Sequence, residues 1–196
     1  MTEKQQERIR NKIGKIKKAL AADKKHWGGF YHDGKGLRYL IPELFIKLKD
    51  YNGGLKYLQW FDKTFPDDSG YPIFLFEWTL ILFKKGKIVE AEKKACETFF
   101  SNTYLFDKFL GKELLHLDKS ESSNWEFASL ADHFHYQKTD AAIVDFAEWL
   151  AHFLASKKFC DFANEFIEIE KKLKYEPVGN TRTQLVKRKY KLLAEI

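Results

Sequence analysis

Residues 29–36, with the sequence GFYHDGKG, match the Gly-x4-Gly-Lys outline of a phosphate-binding loop. Such a loop follows a buried strand, surrounds phosphate with backbone N–H groups and places a Ser or Thr after the Lys to bind Mg²⁺. Here a basic segment precedes the loop, and Gly36 stands where the hydroxyl is required. We therefore predict a tight connection in which the glycines supply turn conformations and Trp27, Phe30 and Tyr31 pack on the core. No nucleotide or other cofactor is expected.

Histidines supply a second candidate for chemistry. His133 and His135 are two residues apart, and on a helix such side chains point about 200° apart, so one metal face cannot use both. Glu148 and His152 have the i,i+4 spacing that places them on one helix face. A small enzyme with a His/carboxylate site is therefore one functional hypothesis. Exposed histidines without such a role are the simpler interpretation, and no metal site is predicted.

The two cysteines, Cys96 and Cys160, form no zinc or redox motif. Both lie on amphipathic segments, so we predict that they are small core residues. Unpaired cysteines suit a reducing compartment, and the charged N-terminus has no apolar signal segment, so a cytoplasmic protein is predicted. No nucleophile motif such as Gly-x-Ser-x-Gly occurs, and the protein is not expected to be an enzyme.

Basic residues are concentrated at the two ends of the chain. Residues 1–25 contain nine Lys and Arg against three Asp and Glu, and residues 171–196 contain eight against two. The intervening residues 26–170 contain 17 against 23 and are acidic overall. Basic ends could be solvated helix faces, or they could bind nucleic acid, because each neutralised phosphate adds salt-dependent affinity. The residues that would do so are Lys187, Arg188, Lys189 and Lys191.

Hydrophobic periodicity predicts helices and no strand. Ile9, Ile13, Ile16 and Leu20 recur at helical spacing within a helix over 2–22, and Thr2 with Gln5 forms a capping box. Apolar patterns and turn residues predict further helices over 37–49, 51–65, 72–85, 87–101, 103–117, 124–137, 140–156, 158–175 and 181–195. The longest apolar run, 71–83, is shorter than the ~20 residues of a membrane span, so no membrane partner is expected.

Two stretches look like copies of one helical hairpin. KDYNGGLKYLQWFDKTFPDD, residues 49–68, has a small residue near the start of its helix at Gly54, and LFKKGKIVEAEKKA, residues 82–95, has one at Ala91. A fainter copy places Phe162 at the corresponding position. These stretches resemble the tetratricopeptide repeat, whose period is ~34 residues. In this interpretation Gly54 is a close-packing point, and Trp60, Phe61 and Phe65 pack between repeats.

The resemblance implies an all-α fold, a right-handed array of antiparallel helical hairpins with about ten helices. We predict a single domain, 1–196, with a basic N-terminal helix at 1–25, hairpin repeats at 37–175 and a basic capping helix at 181–196. The first helix of each repeat would line a concave groove. Its partner-binding positions would be Tyr39, Glu43, Lys47, Phe76, Phe83 and Lys84.

The groove could be filled by another helix of this chain or by an amphipathic segment of a partner. If a partner fills it, the aromatic positions would be the anchors. The expected function is therefore a non-enzymatic protein-interaction scaffold that binds a protein or peptide. One version is an inhibitor or immunity-type protein, in which the acidic middle of the chain binds a basic partner such as a nuclease. The alternative is a nucleic-acid-binding accessory protein that uses its basic terminal helices.

Overall fold

A computed structural model describes all 196 residues and confirms an all-helical chain without strands. The nine α-helices are α1 (Glu3–His26), α2 (Ile41–Leu48), α3 (Tyr51–Thr64), α4 (Pro72–Lys84), α5 (Ile88–Ser101), α6 (Leu105–Phe109), α7 (Val144–Leu154), α8 (Lys157–Tyr175) and α9 (Asn180–Ala194). Two short 3-10 helices cover Leu37–Leu40 and Ala128–His133. None of the helices combines the length and apolarity that a membrane crossing requires.

The helices form two compact units, residues 1–87 and residues 88–196. The first unit contains α1 to α4, and the second contains α5 to α9. That the whole chain acts as one domain stays a prediction.

Helix α1 begins at the predicted capping box. The Thr2 side chain accepts the Gln5 N–H, and the Gln5 side chain accepts the Thr2 N–H at 2.8 Å. Both bonds satisfy backbone donors that a helix start leaves free. The buried residues of α1 are Ile13, Ile16 and Leu20, and this stripe packs against α2. The helix is longer than the predicted 2–22, and it ends at His26 after Lys24 and Lys25.

Helices α2 and α3 form the hairpin that the sequence predicts. Lys49 adopts a left-handed conformation at the turn, with φ +55°, and the Asp50 carboxylate accepts the Gly53 N–H at 2.9 Å. A Cβ on Gly54 would lie 2.9 Å from Ile81 Cδ1 of α4 and 3.4 Å from Phe45 Cβ. Gly54 is therefore a close-packing point, as predicted, and it allows three helices of the first unit to meet.

The second unit is built on the apolar face of α8. Ser156 caps this helix by accepting the Phe159 N–H at 3.2 Å. Phe159, Phe162 and Phe166 are buried on the helix, and each packs edge-on against Phe99 of α5. Helix α9 also packs against α8 and α5. Long-range aromatic packing thus joins α8 to α5, which lies far earlier in the sequence.

Residues 103–137 differ most from prediction. Only Leu105–Phe109 and the 3-10 helix Ala128–His133 are helical there, whereas helices were predicted over 103–117 and 124–137. Asn102, which is buried, donates from its side chain to the carbonyls of Trp125 at 2.7 Å and Phe127 at 3.1 Å. The carbonyls of Trp125 and Phe127 therefore accept hydrogen bonds from a distant side chain, where the predicted helix would have bonded them to its own backbone.

Candidate functional site

The predicted partner-binding positions on the first repeat are engaged within the first unit. The Tyr39 hydroxyl donates to the Asp68 carboxylate at 2.7 Å and accepts from Arg38 at 2.9 Å. Burial, followed by the bond to Asp68, raises the pKa of Tyr39 above its ordinary value. Glu43 and Lys47 pair with each other one turn apart on α2. These side chains therefore already have partners in the free protein.

On α4 the predicted positions are more deeply placed. Phe76 is fully buried and offers no surface to a partner, which contradicts its expected role as an anchor. Phe83 is half-buried, and the Lys84 ammonium lies 5.8 Å from the centre of the Tyr51 ring. An anchor must be exposed before binding.

An open groove lies between α1 and α3, with α2 beneath it. Its first cavity has a volume of about 470 Å³. The cavity is lined by Lys17, Leu20, Ala21, Tyr31, Phe45, Gly53, Lys56, Tyr57 and Trp60. The walls are thus largely aromatic, and the only charged groups among them are two lysines. Aromatic walls with few polar groups are typical of a binding site.

The groove continues past Tyr31 into a second cavity of about 430 Å³. This cavity is lined by Lys24, Gly29, Phe30, Tyr31, Lys63, Thr64 and Phe65. Tyr31 lines both cavities, and its ring packs edge-on against Trp60 at 5.9 Å and tilted against Phe65 at 5.1 Å. We call the two cavities together the α1–α3 groove. Trp60 and Phe65, which were predicted only as packing residues, are among its walls.

Four lysines stand in two matched pairs along the α1–α3 groove. Lys17 and Lys24 are seven residues apart on α1, and Lys56 and Lys63 are seven residues apart on α3. Seven residues are nearly two helical turns, so each pair shares one face and is separated by about 10.5 Å along its helix. All four are exposed, and none is ion-paired to a carboxylate. We call them the groove lysines.

The groove lysines partly overlie the aromatic walls. The Lys17 ammonium is 5.7 Å from the centre of the Phe45 ring and 6.0 Å from that of Tyr57. The Lys24 ammonium is 5.1 Å from the centre of the Tyr31 ring. Such cation–π contacts hold each ammonium at the groove while leaving its N–H donors free for an anion. The groove can therefore contact an apolar group and an anionic group of one ligand together.

Sequence reasoning missed the groove, although it carries a local signal. Lys17, Leu20, Ala21 and Lys24 have i, i+3, i+4, i+7 spacing, and Gly53, Lys56, Tyr57 and Trp60 have the same spacing on α3. Each set defines one helix face that mixes lysine with apolar residues. The sequence does not show that these two faces oppose each other, because that depends on how both helices pack on α2.

A polar network fixes the loop that carries Tyr31. The Asp23 carboxylate accepts the backbone N–H groups of His32 at 2.8 Å and Asp33 at 3.0 Å. Hydrogen bonding from the backbone of Asp33 in particular lowers the pKa of Asp23. The buried Asp33 carboxylate pairs with Arg38, and the Arg38 carbonyl accepts the Tyr57 hydroxyl at 2.6 Å. Burial raises the pKa of Tyr57, which stays neutral. These contacts thus connect Asp23 at the end of α1 to Tyr57, which lines the groove.

The tip of this loop is more exposed than predicted. Trp27 is 50% exposed and Phe30 is 79% exposed, whereas both were expected to pack on the core. Trp27 instead contacts His26 and His32, at ring-centre distances of 5.1 and 4.9 Å. Of the three aromatic residues, only Tyr31 packs against the half-buried rings of Trp60 and Phe65. The prediction was wrong because Gly28 and Gly29, both with positive φ, turn the chain outward.

The cations of α9 are arranged differently from the groove lysines. Lys189 pairs with Glu170, whose side chain is almost fully buried, and Arg188 pairs with Glu165 and Glu195. Lys191 lies 3.6 Å from Glu195, and only Lys187 of the four predicted nucleic-acid contacts has no carboxylate partner. Arg188 and Lys189 therefore join α9 to α8, whereas Lys191 pairs only within its own segment.

The remaining candidates for chemistry are scattered. His133, His135 and His152 are exposed, and no cluster of three or more His, Cys, Asp or Glu has the geometry of a metal site. Cys96 is buried, as predicted, and burial raises the pKa of its thiol to about 12. Cys160 is half-buried rather than in the core, and its Sγ lies 3.5 Å from the Leu154 carbonyl oxygen.

No family model, no curated protein and no solved structure matches this chain. The α1–α3 groove and the charge around it are the features of the molecule that bear on function.

Proposed function

We propose that the protein is a non-enzymatic interaction module that binds an acidic, apolar-containing segment of a partner protein in the α1–α3 groove. The observation that carries the proposal is the set of four groove lysines, free of carboxylate partners, along two aromatic cavities. A ligand that neutralises these cations and covers the aromatic walls gains both electrostatic and hydrophobic free energy. Binding of a peptide through these two contributions requires no catalytic group or cofactor.

The charge of the first unit supports an acidic partner. Residues 1–87 contain 18 Lys and Arg against 10 Asp and Glu, a net charge of +8. Residues 88–196 contain 16 against 18, a net charge of −2. A field of one sign accelerates the encounter with a ligand of opposite charge. The inhibitor-type version with a basic partner would instead depend on the second unit.

We also propose that the helical hairpins form a tetratricopeptide-like array. In it, the α2–α3 hairpin with Gly54 and the α7–α8 hairpin with Phe162 are copies of one structural unit. The close approach of Gly54 to Phe45 and Ile81 supports the first copy. The partner surface in this chain differs from the one that the resemblance implies, since it lies between α1 and α3.

Selection of peptides from a random display library tests the proposed function without assuming a sequence. Wild-type protein is the target, and a variant with all four groove lysines replaced by Gln is the counter-target. We expect the selected peptides to be enriched in Asp and Glu together with Leu, Phe or Trp. They should bind the variant at least tenfold more weakly. Selection of basic peptides, or of peptides that bind both proteins equally, would overturn the proposal.

A further inference from the structure

We infer that the segment bound in the α1–α3 groove is an acidic amphipathic α-helix, with apolar residues on one face and carboxylates on both flanks. The inference rests on the proposed function and adds the conformation of the ligand. It is drawn from the spacing of the groove lysines, from the placement of these lysines on both walls and from the aromatic side chains that line the same groove.

The groove repeats its chemistry with a heptad period. The first cavity combines Lys17 and Lys56 with aromatic walls, and the second combines Lys24 and Lys63 with aromatic walls. Since both lysine pairs advance by seven residues, the second pair of lysines is offset from the first by about 10.5 Å along the helices. The ligand should therefore present the same combination of groups twice, about 10.5 Å apart.

A helix meets this requirement, and an extended strand does not. In a helix, residues i and i+7 lie on nearly the same face and are about 10.5 Å apart. In a strand, residues on one face recur every second position, so same-face spacings are about 6.7 or 13.4 Å. An extended segment could place one carboxylate at the first lysine pair. Its next carboxylate on the same face would then fall short of the second lysine pair, at about 6.7 Å, or beyond it, at about 13.4 Å.

The two-sided placement of charge identifies which helix fits. Lys17 and Lys24 stand on the α1 wall, Lys56 and Lys63 stand on the α3 wall, and Phe45 of α2 lies beneath them. A helix with apolar residues at heptad positions a and d and acidic residues at e and g has this cross-section. A single nucleic-acid strand has its phosphates along one edge and its bases along the other, so it matches the two cationic walls less well.

A matched set of labelled peptides tests the conformation separately from the charge. The first peptide, about 18 residues and about 27 Å long as a helix, has Leu at a and d, Glu at e and g, and Gln elsewhere. The second has the same composition, with Leu and Glu alternating to remove the heptad pattern. Binding to the full-length protein is measured by fluorescence anisotropy. A third ligand, an oligothymidylate of about 15 nucleotides, represents single-stranded nucleic acid.

We expect the heptad peptide to bind about tenfold more tightly than the alternating peptide, and to gain helical circular dichroism on binding. Replacing Lys24 and Lys63 with Gln should reduce this preference, because the second set of carboxylates on the heptad peptide then has no lysine partners. Equal affinities for the two peptides would overturn the helix but leave the proposed function standing. Failure of both peptides to bind would overturn both. Tighter, groove-lysine-dependent binding of the oligothymidylate would show that the ligand class is nucleic acid.

Discussion

The two basic ends of the chain have the same net charge in sequence and different roles in structure. Residues 1–25 and residues 171–196 each carry an excess of six cations. No Lys or Arg of α1 is ion-paired, and two of its lysines line an aromatic groove. In α9, by contrast, Arg188, Lys189 and Lys191 contact carboxylates. Net charge alone therefore does not distinguish the two ends, whereas the ion pairs of their cations do.

The difference follows from what each helix packs against. Helix α8 presents Glu165 and the buried Glu170 toward α9, so the cations of α9 have carboxylates to neutralise. Helix α1 packs its apolar stripe on α2, whose buried residues are Ile41, Pro42, Leu44, Phe45 and Ile46. The cations of α1 consequently remain available to an external anion.

Replacing Lys189 with Ala should have the largest effect on stability. The Glu170 carboxylate would be left buried without its cation, and the ammonium contacts with the Phe100 and Phe166 rings would be lost. Removing one partner of a buried ion pair costs about 3 kcal/mol. The free energy of unfolding, measured in urea, should fall by that amount. Lys187→Ala on the same helix is the control and should change it by less than about 0.5 kcal/mol.

If Lys189→Ala and Lys187→Ala destabilise the protein equally, α9 does not use its cations for packing, and the contrast with α1 is lost.

Replacing Gly53 with Ala should have the next largest effect and tests how closely the groove floor is packed. A Cβ at this position would lie 2.5 Å from Phe45 Cε1 and would also meet the capping Asp50 carboxylate. Overpacking costs about 1–3 kcal/mol, which the better helix propensity of Ala offsets by about 1 kcal/mol. Thermal unfolding should therefore show a net destabilisation of about 1 kcal/mol. Unchanged stability would mean that the Phe45 ring moves freely and that the floor is not fixed.

Replacing Asp23 with Asn should have the smallest effect, and the effect should depend on pH. The pKa of Asp23 is lowered in the folded protein, mainly by the backbone N–H of Asp33. The carboxylate therefore contributes stability above its unfolded pKa, ~3.9, and loses this contribution as pH falls through the lower folded pKa. Wild type should be more stable than the variant at neutral pH, and the difference should shrink under acid. A difference that persists under acid would exclude this linkage.

Local features of the fold could be predicted from sequence because their causes are local. The α1 capping box joins Thr2 to Gln5, three residues apart, and the buried stripe of α1 follows from the 3.6-residue period. The role of Gly54 was also predicted, because a small residue within an apolar helix permits close packing. The capping box and the stripe depend on residues within one or two helical turns of each other, whereas the residues that Gly54 packs against, Phe45 and Ile81, lie on other helices.

Other features depend on partners far apart in sequence. Asn102 bonds to backbone 23 and 25 residues away, and these bonds replace a predicted helix with an irregular segment. The cations Lys187, Arg188, Lys189 and Lys191 looked equivalent in sequence, but the position of α8 gives carboxylate partners to Arg188 and Lys189 alone. The groove likewise requires α1 and α3 to lie side by side, which no single segment specifies.

The most direct test of the central claim compares two matched double variants, Lys17→Gln/Lys56→Gln in the groove and Lys187→Gln/Lys191→Gln on α9. Affinity for the acidic heptad peptide is measured for both at about 50 mM and about 200 mM salt. At low salt we expect the groove variant to bind about fivefold more weakly than wild type, since each exposed ion pair contributes about 0.5 kcal/mol. The α9 variant should stay within about twofold of wild type, and the difference should narrow at the higher salt. Equal losses of affinity, or a greater loss in the α9 variant, would contradict binding of the acidic peptide by the groove lysines.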